Sequence, residues 1–555
     1  MSNHFLFVPG THLRFGVLGS LLGLAVIAAV GQTQQLGLSA DLASQPTSEA
    51  GDAAAVQQDH EAAGRGTDAP KVTLFRRVVQ SKDRASYAIA ALALRRWMIA
   101  HDPHYPKYHF VAPESWINDP NGPIFYRGKY HLFYQYSPIV AGQRSPMCWG
   151  HAVSSDLVHW EDWPVALWPD TPQDRGGVYS GNTVVADDGS LCALYTGNVA
   201  GHKETYGILA RSRDDGLTWQ KRVVMDNARR PNVDSPVHWD GFLWREAGQW
   251  RQLIGGTTGG ADRQGAAWLW TSPDLQQWTL HGNIAPSIRF GPYWELPYLI
   301  PLGSRHVLLV GQGNPYWVGN YDAAKRMFTP QDVHPRQIDT GHYYSFNLNM
   351  TDDKGPRGAR RQLMHGWVTG PPTPTQDVPY WQGAHSVPRV IRLEGDRVWQ
   401  EPIPEIEKLR GPRRDLNQLR GDALEIVATF EPGAAKRFGL KLRVSADGRE
   451  YTRVYFDPAT RQFGVDGPTP ARNARELKEV RATSVQDSLL PAGSAVTMRI
   501  FLDRSIVEVF VNGVAVTART FPPADALGVE LFSEEGQPRV SSLAAYEMSC
   551  LAPCL

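Results

Sequence analysis

A short motif recurs three times in the middle of the chain at a constant interval. Each copy is an acidic turn followed by a tryptophan, and these tryptophans, Trp160, Trp219 and Trp278, are 59 residues apart in both intervals. A weaker copy ends at Phe328. A repeat of roughly this length suits one four-stranded propeller blade, which usually takes about 40–50 residues. Five such repeats fit into residues 106–405, so the motif predicts a five-bladed β-propeller there.

The remainder of the folded region also has the pattern of β structure. From residue 106 onward, short aromatic and β-branched runs are separated by turns, with little helical periodicity. Residues 412–548 contain alternating strands with hairpin signals at Asp447-Gly448 and Asn512-Gly513. We therefore predict an all-β protein, a five-bladed β-propeller followed by a C-terminal β-sandwich that packs on it.

The N-terminus carries a targeting segment. Residues 15–31 form an uncharged apolar run of 17 residues preceded by Arg14, and Ala29 and Gly31 supply small residues for cleavage after Gly31. Residues 1–31 are therefore a signal peptide or an uncleaved signal anchor. Both alternatives place the remaining chain outside the cytosol. It would be secreted, lumenal or vacuolar, or anchored in a membrane through residues 15–31.

Two segments separate this signal from the predicted propeller. Residues 32–70 are rich in Ala, Gln, Asp, Gly and Ser with few large apolar side chains, which predicts a disordered linker. Residues 71–105 form an N-terminal extension with a predicted helix around residues 85–94 that ends near Asp102. This helix either packs on the predicted propeller or precedes it as a processed segment.

The overall charge argues against a nucleic-acid partner. The 56 basic and 56 acidic residues cancel, so no attraction to a phosphate backbone is expected. The 18 Trp and 20 Tyr residues could stack on sugar rings, although aromatic residues in β proteins also fill cores. The four cysteines are too few and too scattered for a disulfide framework or a metal site, and Cys550 and Cys554 are either paired with each other or free.

A turn-rich stretch near the start of the predicted propeller holds a carboxylate. Residues 116–123 read WINDPNGP, with two prolines, a glycine and three Asx residues including Asp119. They lead directly into strand-like residues 124–126 and 131–136. A carboxylate held at the start of a strand among aromatic side chains suits carbohydrate cleavage. The simpler interpretation is an Asp that caps its own turn.

Two further carboxylates lie beside aromatic residues, Asp240 in HWDGFLW and Glu295 in YWELP. Together with Asp119 they come from three different predicted blades, whose innermost strands converge on the central channel. Carboxylates that are far apart in sequence can therefore meet there. Acid-catalysed cleavage of a glycosidic bond uses two of them, a nucleophile and a proton donor, and shared burial separates their pKa values.

Several blocks of the sequence resemble glycoside hydrolase family 32, which contains invertases, fructan hydrolases and related fructosyltransferases. Residues 116–122 and 130–136 resemble the nucleophile motif of that family. The blocks that follow are WGHAVS at 149–154, YSG at 179–181, LYTG at 194–197, WE at 294–295, GW at 366–367 and DRSIVEVF at 503–510. The resemblance covers about 440 residues, from 108 to near the C-terminus, and implies a five-bladed propeller joined to a β-sandwich.

The resemblance also implies roles for individual residues. Asp119 would be the nucleophile that forms a covalent fructosyl-enzyme, Glu295 the proton donor that later activates water, and Asp240 the carboxylate that binds fructose hydroxyls. Two displacements at one carbon give net retention. The other expected substrate-binding residues are Asn118, Gln135, Trp149, Tyr179, Ser180, Trp239, Asp339 and Trp367. The chemistry implies no metal ion and no organic cofactor.

The stretch around Asp240 departs from the family pattern. The family usually has Arg-Asp-Pro where this chain has Trp239-Asp240-Gly241. A tryptophan cannot provide the paired donors of an arginine. Either another basic residue such as Arg245 reaches the pocket, or the bound sugar sits differently.

Three functions are compatible with these patterns. The favoured one is a β-fructofuranosidase that hydrolyses the terminal β-D-fructofuranoside of sucrose or a small fructan. A fructosyltransferase would use the same intermediate with a sugar as acceptor. A catalytically weakened fructan-binding protein is the third hypothesis, because Trp239 replaces the arginine. The products formed from concentrated sucrose distinguish the first two, and the effect of Asp119→Ala on fructose release tests the third.

Overall fold

The structure is a computed structural model that describes residues 70–138, 146–199, 204–226, 228, 238–370, 381–415, 419–468, 480–481, 490–491 and 493–551. The predicted signal segment 1–31 and all of the predicted linker 32–70 except Pro70 lie outside the described residues. Within those residues, two helices precede five consecutive β-sheets and a two-sheet sandwich.

Five sheets follow one another along the chain as the blades of the propeller, numbered here I to V. Blade I contains Ser115–Tyr126, Lys129–Ser137, Cys148–Ser154 and Trp160–Leu167, with the short strand Trp381–Gln382 parallel to the first. Blade II contains Gly177–Val185, Leu191–Asn198, Thr205–Ser212 and Gln220–Met225. Blade III contains Phe242–Glu246, Gln249–Thr257, Gly265–Ser272 and Thr279–Asn283.

Blades IV and V complete the propeller. Blade IV contains Tyr298–Leu302, Arg305–Leu309, Pro315–Asp322, Met327–Pro330 and the short strand Arg336–Gln337. Blade V contains Tyr343–Asn347, Thr351–Asp352, Arg361–Val368, Ala384–His385, Arg389–Glu394 and Arg397–Pro402, with a 3-10 turn at Pro356–Gly358. In each blade the innermost strand is the first in chain order, and the first strands of neighbouring blades contact one another. Asp119 lies on the first strand of blade I and therefore near the channel.

The recurring acidic turn joins the third and fourth strands of blades I to III. In each copy the indole N–H of the tryptophan donates to a turn carbonyl three residues earlier. The three pairs, each at 3.0 Å, are Trp160 with Leu157, Trp219 with Gly216 and Trp278 with Leu275. The weaker copy lies at the same place in blade IV, where Asp322 accepts from the backbone N–H groups of Ala324 and Lys325. The sequence repeat is therefore one structural turn repeated once per blade.

Side-chain amides link the inner ends of neighbouring blades. The amide nitrogen of Asn347 donates to the carbonyl of Pro120 and to the side chain of Asn182, both at 3.0 Å. The amide nitrogen of Asn182 in turn donates to the carbonyls of Asp240 and Gly241. All these groups are buried, so the bonds stabilise the backbone that carries the channel carboxylates.

The C-terminal domain is a sandwich of two sheets. One sheet contains Arg410–Arg414, Ala423–Glu431, Val496–Asp503, Ile506–Val511, Val514–Arg519 and Arg539–Met548. The other contains Arg437–Val444, Thr452–Asp457, Gln462–Asp466, Val480–Arg481 and Gly528–Glu534. Alternate residues of both sheets enclose one apolar core, and the 3-10 helix Pro404–Leu409 connects this domain to the propeller.

A buried chain of charges joins the two domains. His109, before blade I, contacts Asp503 at 2.9 Å and Glu508 at 3.0 Å. Arg389 of blade V lies 2.6 Å from the other oxygen of Glu508 and 3.1 Å from Asp339. All five side chains are buried, so the propeller and the sandwich are fixed to each other by paired charges as well as by apolar contacts.

The two helices, α1 (Pro70–Val78) and α2 (Arg84–His101), pack on the propeller. Apolar residues of both helices share a core with Val368 and Trp381 of the propeller and Ile506 of the sandwich. Arg95 of α2 forms a buried ion pair with Asp162 of blade I, in which one guanidinium nitrogen, Nη2, lies 2.9 Å from Oδ1 and 2.8 Å from Oδ2. Of the two alternatives for the predicted helix, the structure shows packing on the catalytic domain. Neither described helix is long and apolar enough to cross a membrane.

Candidate active site

Asp119 lies at the start of the innermost strand of blade I, where the register with the next strand shifts between Ile117 and Pro120. Its side chain is 9% exposed. The hydroxyl of Ser180 donates to Oδ2 at 2.6 Å, and the amide of Asn118 donates to Oδ1 at 3.1 Å. An irregularity of this kind turns a side chain away from the regular sheet, which here directs the carboxylate into the channel.

Burial raises the pKa of the Asp119 carboxyl to about 6. The hydrogen bond from Ser180 acts in the opposite direction, and the charge of Glu295 raises the pKa further. Hydrogen bonds from Ser345 and Asn118 favour the ionised form. A carboxylate that is partly desolvated but still supported by three donors can serve as a nucleophile when it is ionised.

Glu295 follows blade III and points its carboxyl group towards the same space. Its backbone carbonyl accepts from the N–H of Gly311 at 2.9 Å, and the hydroxyl of Tyr344 donates to Oε2 at 2.6 Å. The next residue, Leu296, has a φ of 48°, a strained backbone conformation for a branched side chain. This backbone conformation at Leu296 helps to set the direction of the neighbouring Glu295 side chain.

Asp240 lies beside Glu295, and His238 stands next to both. The Nδ1 atom of His238 is 3.8 Å from Oδ2 of Asp240 and 3.6 Å from Oε1 of Glu295. Asp240 is almost completely buried, with its carbonyl held by Asn182. The structure therefore brings together Asp119, Asp240 and Glu295, the three carboxylates that the sequence predicts at the channel.

The remaining predicted residues around Asp119 support it. The indole N–H of Trp116 donates to Oδ1 of Asn118 at 2.8 Å, which directs the Asn118 amide nitrogen towards Asp119. The ring of Trp367 stands edge-on to the rings of Trp116 and Tyr344, at 5.6 and 6.1 Å. Trp367 thus forms an aromatic wall beside the groups that hold Asp119 and Glu295.

Gln135 and Trp149 bind the backbone that carries Tyr179 and Ser180. The amide of Gln135 donates to the carbonyl of Val178 at 3.1 Å, and the indole of Trp149 donates to the carbonyl of Tyr179 at 2.9 Å. Both side chains are buried. In this structure they position the strand that brings Ser180 to Asp119, while the ring of Tyr179 faces His238 at 6.5 Å.

Trp239 and Arg245 differ from expectation. Trp239 is 0% exposed and packs against Trp270 in the core between blades II and III, with its side chain away from the channel. Arg245 is exposed, pairs with Asp187 and lies over the ring of Trp250. Alternate residues of an extended segment face opposite sides, so the neighbour of the inward-facing Asp240 turns outward. Neither side chain supplies a donor to the pocket.

The structure also gives Asp339 a different place from the predicted subsite. Its Oδ2 atom accepts from Thr517 at 2.7 Å and from Arg389 at 3.1 Å, and Oδ1 accepts from the backbone N–H of Gly341. The side chain is completely buried. Asp339 therefore belongs to the interface between the propeller and the sandwich, because both its oxygens are engaged there.

Three residues of the site were missed in the sequence. Tyr344 and Ser345 belong to blade V, and nothing in their spacing connects them to Asp119 or Glu295 before the blades are closed into a ring. Ser345 has a φ of 44°, a second strained position at the site. His238 could have been found, because it is two residues from Asp240 and alternation puts both on one side.

The described residues contain no group of three or more His, Cys, Asp or Glu side chains arranged to hold a metal ion. The chemistry available at the site is that of carboxyl groups and hydroxyls. One carboxylate can attack an electrophilic carbon, and a second can give and take a proton beside it.

The sequence matches two family models. Residues 109–402 match the glycosyl hydrolases family 32 N-terminal domain, and residues 399–547 match the glycosyl hydrolases family 32 C terminal. Together the two models span both the propeller and the sandwich.

Characterised relatives align over most of the chain. A levanase of Bacillus subtilis (strain 168) is 31% identical, over 80% of this chain and 70% of its own length. A sucrose-6-phosphate hydrolase of Zymomonas mobilis is 30% identical, over 83% of this chain and 94% of its own length. Fructan 1-exohydrolase IIa from Cichorium intybus, solved with 1-kestose, shares the fold with a TM-score of 0.70 at 24% identity, over 81% and 98% of the two chains.

Proposed function

Because the chain belongs to glycosyl hydrolase family 32, we propose that this glycoside hydrolase is a retaining β-fructofuranosidase that acts by double displacement. The observation that carries the proposal is the meeting of three carboxylates with unlike surroundings. Asp119 is held by Ser180, Glu295 by Tyr344, and Asp240 by contact with His238. Different surroundings separate the roles of chemically similar groups.

In the first step a carboxylate oxygen of Asp119 attacks C2 of the terminal fructosyl unit. The bond from C2 to the leaving oxygen breaks, and Glu295 transfers its proton to that oxygen. Tyr344 orients the Glu295 carboxyl through the bond to Oε2. Asp240 accepts hydrogen bonds from fructose hydroxyls and stabilises the positive charge that develops on the ring.

In the second step Glu295, now ionised, takes a proton from water. The resulting hydroxide-like oxygen bonds to C2, the bond between C2 and Asp119 breaks, and β-fructose leaves with its configuration retained. The two carboxyl groups of a retaining enzyme lie about 5–5.5 Å apart. Nucleophile and acid/base from separate blades can be held at such a separation by the inner strands.

The proposed substrates are sucrose and small fructans, cleaved at a terminal β-D-fructofuranoside. The names of the relatives, a levanase and a sucrose-6-phosphate hydrolase, support a fructosyl substrate without choosing among these sugars. The tryptophan at position 239 does not obstruct the channel, because its side chain lies in the core.

Product analysis tests the proposal. Purified protein is incubated with sucrose, inulin and levan, and the sugars released are separated and quantified, with Asp119→Ala as the matched inactive variant. We expect free fructose from at least one substrate and none from Asp119→Ala. Oligosaccharides that lengthen in concentrated sucrose would identify a fructosyltransferase. Sugar binding without any turnover by the wild type would identify a binding protein.

We further propose that the enzyme works outside the cytosol, where it is secreted, lumenal or vacuolar, or held in a membrane by residues 15–31. Cys550 is disulfide-bonded, and disulfides persist mainly in oxidising compartments, which supports this placement. Cys148 and Cys192, by contrast, are buried and not disulfide-bonded. Fructose-releasing activity is measured separately in the medium, in lumenal compartments, in membranes and in the cytosolic fraction. Activity confined to the cytosolic fraction would contradict the proposal.

A further inference from the structure

His238 is a basic side chain at the point where two active-site carboxylates meet. Its Nδ1 atom lies 3.6 Å from Oε1 of Glu295 and 3.8 Å from Oδ2 of Asp240. The residue is 8% exposed, and its ring stands edge-on to those of Tyr179 and Tyr293, at 6.5 and 6.4 Å. Aromatic packing therefore holds the imidazole between the acids.

The backbone around His238 explains why it reaches the channel. Trp239 points into the apolar core, and its carbonyl accepts from the amide of Gln252 at 3.0 Å. With position 239 anchored on the core side, positions 238 and 240 both turn towards the channel. A large apolar residue at 239 thus places a histidine and an aspartate side by side.

Glu295 is approached from two sides by different residues. The hydroxyl of Tyr344 donates to Oε2 at 2.6 Å, while His238 faces Oε1. The hydrogen bond at Oε2 orients the carboxyl plane, and the electrostatic attraction of an imidazole N–H 3.6 Å from Oε1 favours the same orientation. Asp240 faces the same Nδ1 atom. His238 therefore also influences how the carboxyl groups of Glu295 and Asp240 are placed relative to each other.

We propose that His238 is a positioning residue that holds Glu295 in register with Asp240 for protonation of the leaving oxygen. The inference deepens the proposed function and rests on it. The role requires the proton of the imidazole on Nδ1, because both facing atoms are acceptors. Misplacement of a catalytic group by about 1 Å can cost on the order of 100-fold in rate.

Two substrates with unlike leaving groups test the role. A natural fructoside such as sucrose needs a proton on its leaving oxygen, whereas 4-nitrophenyl β-D-fructofuranoside releases a stable phenolate and needs little help. His238→Phe keeps an aromatic ring between Tyr179 and Tyr293 but removes Nδ1. We expect kcat on sucrose to fall about 10- to 100-fold, with less than about threefold loss on the aryl fructoside.

A pair of amide variants provides the rescue. His238→Asn places an amide nitrogen near the position of Nδ1, whereas His238→Gln extends one atom further. We expect His238→Asn to recover most of the kcat on sucrose and His238→Gln to recover little. This comparison also decides the question if His238→Phe does not fold. His334→Phe, the same change at an exposed histidine, is the control and should leave both substrates unaffected.

Several outcomes would overturn the inference. An unchanged kcat on sucrose in His238→Phe, an equal loss on both substrates, or equal behaviour of the Asn and Gln variants would each exclude positioning of Glu295. In these cases the wild type still releases fructose, so the proposed function stands. A wild type that releases no fructose from either substrate would instead overturn the proposed function and this inference together.

Discussion

The carboxyl group of Asp119 shows how activity and stability oppose each other at a single residue. Burial raises its pKa to about 6, although Ser180 counteracts part of this effect. An attacking carboxylate must be ionised, so turnover needs a pH above this value. The folded state, however, favours the protonated form, because a buried charge with incomplete solvation costs free energy.

We predict that Asp119→Asn abolishes turnover and stabilises the fold at neutral pH. An aspartate in the unfolded chain titrates near pH 4, so the folded protein loses stability as the pH rises from about 4 to about 6. A pKa raised from about 4 to about 6 corresponds to about 3 kcal/mol, the upper bound for the gain in stability above pH 6. Urea unfolding at pH 8 and pH 4 measures the gain, which should vanish at pH 4. A variant less stable than wild type at pH 8 would contradict this account.

Ser180→Ala should move the acidic limb of the pH dependence. The hydroxyl of Ser180 donates to Asp119 at 2.6 Å and lowers its pKa, so its removal raises the pKa above about 6. We expect kcat/KM to decline at a higher pH than in the wild type, while activity at pH 8 falls less. Initial rates between pH 4.5 and 8.5 provide the measurement. An unchanged acidic limb would show that Asp119 is not the group that titrates there.

At the scale of single elements, side chains of the repeated turn form hydrogen bonds with the turn's own backbone groups, which stabilises each blade. Oδ1 of Asp274 accepts from the N–H groups of Gln276 and Gln277, both at 2.8 Å. The indole of Trp278 then donates to the carbonyl of Leu275. Three backbone groups of the turn are thus satisfied without water.

We expect Asp274→Ala to lower the free energy of unfolding by about 1–2 kcal/mol, since two backbone donors lose their partner. The matched control is Asp262→Ala, which removes an exposed carboxylate paired with Arg289 and should cost less than about 0.5 kcal/mol. Thermal and urea unfolding compare the variants, and kcat should be unchanged in both. Equal stability of the two variants would show that the turn bonds contribute nothing.

At the scale of the whole molecule, Arg389 is the link between propeller and sandwich. It lies between Asp339 of the propeller and Glu508 of the sandwich, and all three side chains are fully enclosed. Removing one member of a buried ionic group leaves the others uncompensated, which usually costs about 3–5 kcal/mol. The two domains are therefore expected to unfold together.

Arg389→Met should destabilise the whole molecule by roughly that amount. The control lies on the same strand, because Arg392 makes exposed ion pairs with Glu394 and Glu401. Arg392→Met should cost less than about 1 kcal/mol. Unfolding followed by tryptophan fluorescence and by calorimetry measures both. A stability of Arg389→Met equal to that of Arg392→Met would refute the structural role of the buried group.

The same interface should weaken in alkaline solution. Burial alone would lower the pKa of His109, but hydrogen bonds and charge from Asp503 and Glu508 raise it to about 9. Because the folded value exceeds the usual one near 6.5, the stabilisation is complete below pH 6.5 and is lost as the pH rises to 9. Unfolding experiments at pH 6, 7.5 and 9 should show this decline, and it should be smaller in His109→Gln.

Much of the architecture could be predicted because it rests on local chemistry. The acidic turn before Trp160, Trp219 and Trp278 is made of hydrogen bonds within a few residues, so its sequence pattern alone reveals the blades. The strands of the sandwich were likewise visible in their alternation. Its first strand, Arg410–Arg414, begins two residues before the predicted boundary at 412, since it pairs with Arg539–Met548, the last strand among the described residues.

The candidate site could be predicted only in part. Asp119, Asp240 and Glu295 were found as carboxylates in strand-like aromatic surroundings, and Asn118 and Ser180 through family motifs. Asp339 was expected in the substrate subsite, whereas the structure places it at the interface between propeller and sandwich. Its partners there, Arg389 and Thr517, are 50 and 178 residues away in the chain. Nothing near Asp339 in the sequence records those contacts.

The sequence by itself determined the blades and the sandwich, because turn bonds and strand alternation act over a few residues. Aromatic neighbours in the sequence also singled out the three carboxylates as candidates. Only the tertiary structure decided which side chains share the channel. Closing five blades into a ring brings Tyr344 to Glu295 and Ser345 to Asp119, and the core that receives Trp239 turns His238 inward. Those placements depend on packing between distant segments, which no local pattern encodes.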